Sequence, residues 1–133
     1  MESIKLQIIT PQKVLYDGDV AMIEYNTTEG YVGVLPGHIP MTQVLASGKL
    51  AIYETKNEEP KVGALHAGFV QIMPDLITIL AEIVEWKEDI DIERAKLSAD
   101  RAMKRISEHP ENLDVARAEV ALKKALTRIE VAN

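Results

Sequence analysis

Residues 85–95, EWKEDIDIERA, decide how the chain is read, because its character changes across them. Immediately upstream, residues 76–83 read LITILAEI, a β-rich run of strand length. Downstream of Ile90 there is no glycine and one proline. Ala, Glu, Lys, Arg and Leu dominate there, a composition that favours helix. A β domain over residues 1–86 therefore hands over to a helical domain over residues 87–133.

Two helices are expected downstream. The first takes Asp89 as its N-cap, with Asp91 and Glu93 in the first turn and Lys104 and Arg105 in the last, as the helix dipole favours. The second follows the stop-and-restart signal His109-Pro110-Glu111-Asn112 and runs from Leu113 toward Val131. The helices echo one another: Ile90-Asp91-Ile92-Glu93-Arg94-Ala95 returns 23 residues later as Leu113-Asp114-Val115-Ala116-Arg117-Ala118. The apolar stripes keep the same offset, Ile92, Ala95, Ala99, Ala102 and Ile106 matching Val115, Ala118, Leu122, Ala125 and Ile129. Alternating spacings of three and four make these stripes the seam of an antiparallel two-helix hairpin. Alanine dominates the first stripe. At about 0.8 kcal/mol per buried CH₂, such a seam gains far less than one of leucines, and isolated helices of this length are marginal. The hairpin is expected to be weakly held, and so a moving part.

Upstream, turn signals recur at short intervals: Thr10-Pro11, Asp17-Gly18, Glu29-Gly30, Pro36-Gly37, Ser47-Gly48 and Pro74-Asp75. Strand-like runs lie between them at 5–10, 20–25, 31–35, 49–53, 61–67, 69–73 and 76–83. Short strands so evenly spaced, with no helical pattern among them, predict an antiparallel β-sandwich or flattened barrel. Gly63 and Gly68 mark a bulge or a close backbone approach. The most distinctive words are Gly33-Val34-Leu35-Pro36-Gly37-His38-Ile39-Pro40. Two glycines and two prolines in eight residues fix backbone angles and delete amide donors, which rules out a central strand. The plain reading is a rigid connection between two β edges. The functional reading is a stiff exposed loop presenting His38 and Ile39 to a partner.

Charge and composition narrow the function classes. With 133 residues, 47% hydrophobic and 27% charged, the chain is an ordinary globular protein. The net charge of −6 falls wholly on residues 1–86, which carry 5 Lys/Arg against 11 Asp/Glu, while residues 87–133 carry 10 of each. Neither part has the positive field that nucleic acid needs. Cysteine is absent, which removes thiolate metal sites and cysteine nucleophiles. No signal peptide and no apolar run of membrane-spanning length is visible, so a cytosolic location is expected. The histidines His38, His66 and His109 are scattered, with no metal-ligand spacing, no GxSxG and no P-loop, so neither catalysis nor a metal or cofactor is expected. His66, inside an apolar run, reads as a hydrogen-bonded core residue.

The cations of the tail are the remaining chemistry. Arg94 and Arg101, seven apart, share one helix face, and Lys124 and Arg128, four apart, share a face of the other. Brought together they would converge on a polyphosphate, with Glu85 and Asp91 accepting from a base or ribose. A structural reading stands beside this one, in which Asp91 and Arg94 are helix capping, dipole and ion-pair chemistry.

Taken as a whole, a small β domain with GVLPGHIP, then HAGFVQI and LITILAE, then a two-helix tail opening with IDIERA, resembles the epsilon-subunit family of bacterial F-type ATP synthases. The resemblance covers essentially the full chain. It implies a non-catalytic stalk subunit, peripheral on the cytoplasmic face of the bacterial membrane, that couples rotation and proton flow to ATP synthesis. The β domain, residues 1–86, would dock on the gamma subunit and the c-ring, with Gly33, Leu35, Pro36, Gly37, His38, Ile39 and Pro40 as the interface. The regulatory hairpin, residues 87–133, would extend toward the catalytic alpha/beta head and inhibit ATP hydrolysis. It also implies ATP as a regulatory ligand. Asp91, Arg94 and Ala95 match the family's [I/L]DxxRA motif, and Glu85, Arg101 and Arg128 fall at supporting positions. Lys124 departs from the arginine of that pattern: the charge is kept, the bidentate fork is lost, and weaker binding is expected. The alternative is a free-standing ATP-sensing protein whose hairpin alone carries the function.

Overall fold

Alternation of side chains builds the first strand and sets the plan for the rest. In β1 (Ile4–Ile9), Ile4, Leu6 and Ile8 point inward and are buried, while Lys5 is exposed. The computed structural model describes residues 2–108 and 112–133, the side chains of Asn112 and Leu113 apart. Seven more strands follow β1: β2 (Val14–Val20), β3 (Met22–Thr27), β4 (Gly30–Val34), β5 (Met41–Leu45), β6 (Gly48–Tyr53), β7 (Lys61–Ile72) and β8 (Leu76–Trp86). After a 3-10 turn at Lys87–Asp89 come α1 (Ile92–Ser107) and α2 (Asn112–Ala132). The chain divides into two compact units, Met1–Trp86 and Lys87–Asn133.

The first unit is the β-sandwich, with strands joined in the order β2-β1-β8-β7-β5-β3-β4, and β6 bridging β3 and β7. Among the described residues all ladders are antiparallel except one: β1 runs parallel to β8, Leu6 opposite Ile77 and Ile8 opposite Ile79. Between the layers lies an aliphatic core that includes Leu6, Ile8, Ile23, Leu50, Ile52, Val70, Ile72, Ile77 and Ile79, with Tyr25 the bulkiest member.

Three strand assignments differ from the sequence reading, each for a physical reason. Asp17-Gly18 is not a turn but the middle of β2. That strand pairs along one side with β1, Gly18 opposite Leu6, and such an edge tolerates the pair. Residues 41–45, MTQVL, form β5 although the sequence predicts no strand there. Residues 61–67 and 69–73 are not two strands but one, β7. At its middle, Ala67 has φ 56° and Gly68 φ 144°, and here the partner changes: β6 pairs with residues 61–65 and β5 with residues 68–72. A Cβ on Gly68 would collide with the Leu80 carbonyl, so of the two expected roles the glycine serves close backbone approach.

The second unit is the helical hairpin. Asp91, not Asp89, caps α1, its Oδ1 accepting from the Arg94 backbone N–H at 3.1 Å. Lys87–Asp89 winds into the 3-10 turn instead, Ile90 N–H donating to the Lys87 carbonyl, which delays the helix by two residues. The first stripe buries Ala95, Ala99 and Ala102, and the second buries Ala118 and Ala125, with Leu122 half-buried. Thr127 and Val131 are buried as well, outside the expected stripe. Of the signal at residues 109–112, His109, Pro110 and Glu111 fall outside the described residues.

Candidate functional site

The residues singled out above fall in two places, one in each unit. In the sandwich, residues 35–40 link β4 to β5. The Leu35 carbonyl accepts from the His38 N–H at 3.2 Å across Pro36 and Gly37, and Gly37 has φ 88°. Proline followed by a positive-φ glycine at the centre is the signature of a type II turn. His38 Nδ1 lies 2.7 Å from the Ile39 carbonyl, and since a carbonyl only accepts, Nδ1 carries the proton. The loop is pinned by its own bonds, yet Leu35 is 55% and Ile39 73% exposed. Gly33 sits a little apart, exposed within β4 and paired with Glu24.

The sandwich also shows an apolar face that the sequence reading missed. Val44, Phe69 and Leu80 stand opposite one another in register on β5, β7 and β8, each about half exposed, and half-buried Ile9 continues the row on β1. Residues in register share a face. Exposed apolar side chains that cluster in this way are the kind of feature that marks interaction sites. In sequence its members lie scattered, one per strand, in runs where an apolar residue at every second place looks like core.

Glu85, near the end of β8, is engaged with His66. The His66 ring is buried, its Nε2 3.3 Å from Glu85 Oε1 and its Nδ1 3.2 Å from Ser47 Oγ. The ring is thus the hydrogen-bonded core histidine that its apolar surroundings predict. In the hairpin, Asp91 is exposed and serves the cap, Arg94 and Arg101 are exposed on α1, and Lys124 and Arg128 are half-buried on α2. A cleft of about 630 Å³ runs between the two helices. Of the four cations expected to converge, only Arg101 lines it; its other charged walls are Lys104, Arg105, Glu108 and Arg117. Sequence reasoning passed over Lys104 and Arg117 because on amphipathic helices they look like any solvated face. For Arg117 alone there was a signal, the 23-residue echo, which puts it in register with Arg94.

Among the described residues no group of three or more His, Asp or Glu is placed to hold a metal ion. No described helix is long and apolar enough to cross a membrane.

Comparison with known proteins gives the family. Residues 3–87 match the ATP synthase delta/epsilon chain beta-sandwich domain, and residues 88–133 its long alpha-helix domain. The chain is 41% identical over 108 residues to the ATP synthase epsilon chain of Halalkalibacterium halodurans, covering 81% of this chain and 80% of that one. It is 39% identical over 107 residues to that of Bacillus subtilis, covering 80% of each. Among solved structures it is similar to a chain of the Euglena gracilis mitochondrial ATP synthase (OSCP/F1/c-ring), with TM-score 0.87 and 25% identity, covering 99% of this chain and 82% of that one. A chain from the Tetrahymena thermophila mitochondrial ATP synthase shares the fold, with TM-score 0.67 at 14% identity. Sandwich followed by hairpin is the build of a non-catalytic rotary-ATPase stalk subunit. The chain belongs to the ATP synthase delta/epsilon chain family. Membership leaves the free-standing sensor without support.

Proposed function

We propose that the sandwich is the anchor of this subunit on the rotor and that the hairpin is a mobile, ATP-sensitive tail. The observation that carries the reading is the helix seam. Its buried members on α1 are all alanines, so closing the hairpin gains little apolar burial. Compact and extended forms then lie within a few kcal/mol of each other, where a ligand that prefers one form governs the balance. Binding stabilises the compact form by RT ln(1 + [L]/Kd), about 2.7 kcal/mol at a hundredfold excess, enough to move a balanced equilibrium.

In this reading ATP is held by Asp91, Arg94, Arg101, Lys124 and Arg128 of the hairpin, and its loss frees the tail to reach the alpha/beta head and block hydrolysis. Lysine at position 124 donates from a single point instead of a fork, which sets the affinity low. Residues 35–40 meet the c-ring, and the Val44–Phe69–Leu80 row meets the gamma subunit. The similarity to a chain in an F1/c-ring assembly supports both dockings. The protein then lies at the cytoplasmic face of the membrane, bound through other subunits.

The test is an ATP titration of the full chain, followed by amide NMR. Shifts at Asp91, Arg94 and Arg128 that saturate with nucleotide are expected. An unchanged spectrum at millimolar ATP removes the sensor while leaving the anchor in place.

A further inference from the structure

The end of β8 is the place where the sandwich should fray. β1 pairs with β8 only as far as Leu80, so among the described ladders Ile83–Trp86 is paired along one side alone, with β7. Its last two side chains nevertheless are fastened, and on opposite faces. Neighbouring side chains of a strand alternate in direction, so Trp86, opposite Gly63, and Glu85, opposite Ala64, point to different sides. The Trp86 indole packs against the aliphatic core, and Lys61 sets its ammonium 4.4 Å from the ring centroid, close enough for the ring face to hold a cation. Gly63 permits this approach. A Cβ there would stand 2.9 Å from the Glu85 carbonyl oxygen and 3.1 Å from the indole Cε3.

On the other face Glu85 is tied into a polar chain. His66 Nε2 donates to its Oε1 at 3.3 Å, His66 Nδ1 lies 3.2 Å from Ser47 Oγ, and the Ser47 carbonyl accepts from Asn26 Nδ2 at 3.0 Å. The chain runs from β8 through β7 and the β5–β6 connection to β3. Its centre, the His66 ring, is buried, and satisfied polar networks in such places rigidify what they join. Beyond Trp86 the support is thinner. Lys87–Asp89 buries no residue, and the bond from Ile90 N–H to the Lys87 carbonyl is 3.3 Å long. Firm structure resumes with the Asp91 cap of α1.

We propose that Lys61 with Trp86, and His66 with Glu85, form a two-sided rivet that stops any movement of the hairpin at Lys87. The tail then pivots on Lys87–Ile90 while β8 stays whole. This rests on the hairpin being mobile and adds what that reading leaves open, namely how far into the anchor an opening can run.

The test follows amide exchange of the full-length, isotope-labelled chain by NMR at a series of low urea concentrations, which sorts amides by the opening that exposes them. In the native chain, Lys87–Ile90 and both helices should share one local opening, with Val84–Trp86 exchanging only alongside the sandwich. In Lys61→Met/His66→Gln, Val84–Trp86 should join the hairpin's opening and exchange roughly tenfold faster or more relative to Leu6 and Ile8 of β1. Trp86 emission should move to longer wavelength at the same time. If the double variant lacks a cooperative melt, Gly63→Ala takes its place, since the added Cβ presses on the same strand end. The proposal alone is overturned if Val84–Trp86 open with the hairpin in the native chain, or if they stay with the sandwich in the variant. Helices that open only together with the whole sandwich would defeat the mobile tail, and the pivot with it.

Discussion

Tyr25 has no exposed surface, and its hydroxyl donates to Gln43 Oε1 at 2.7 Å. Burial pushes its pKa up to about 12. Above pH 10 the unfolded chain therefore gives up a proton that the folded chain retains, and the folded state loses ground as pH rises from about 10 to about 12. Below pH 10 the contribution is intact. A rise of that size corresponds to roughly 2–3 kcal/mol over the window. Tyr16, raised by burial and by Glu54, and Tyr53, raised by its hydrogen bond to Glu24, push in the same direction. Urea midpoints should thus fall between about pH 9 and about pH 11.5, and fall distinctly less in Tyr25→Phe. Equal falls in the two proteins would remove Tyr25 as the cause. At this scale the sequence is partly legible. His66 declares itself through its apolar neighbours, whereas Lys104, Arg105 and Arg117 become a group only when two helices are laid side by side.

Among the elements, the hairpin is the most legible. Its stripes are visible in the sequence because helix periodicity is a local property, needing no knowledge of distant partners. The same locality misplaces the cap by two residues: Asp89 and Asp91 are equivalent to a local rule, and the 3-10 turn at Lys87–Asp89 separates them. β5 is hidden because half of it is polar and its pairing is with β7, far along the chain. β2 is masked by Asp17-Gly18, which local statistics assign to a turn. Alanine at the seam sets how closely α1 and α2 approach, so a larger side chain there should part them. Ala102→Leu is expected to cost the hairpin about 1–3 kcal/mol. Amide exchange in α2 should quicken by roughly one to two orders of magnitude, with sandwich amides unchanged. Unaltered exchange in α2 would mean the seam is not the contact that holds the helices.

The whole molecule is two bodies with unequal means of support. Every residue of the continuous aliphatic cluster belongs to the first, from Ile4 to Ala81. Residues 1–86 alone are therefore expected to fold, with a β-type circular dichroism spectrum and a cooperative thermal transition. Trp86, half-buried and packed against the sandwich core, should keep the fluorescence of this single tryptophan blue-shifted in the fragment. A non-cooperative melt, or emission like that of free indole, would show that the sandwich depends on the helical unit. The parallel pairing of β1 with β8 bears on how such a protein is born. β1 pairs with β2 along one edge soon after it is made, but its other edge is filled only when β8, the last strand of the sandwich, arrives about seventy residues later. Until then the nascent chain presents a bare apolar margin, and translation arrested midway yields something that chaperones can recognise as unfinished. β1 acts as a clasp, fastened only once β8 has been made.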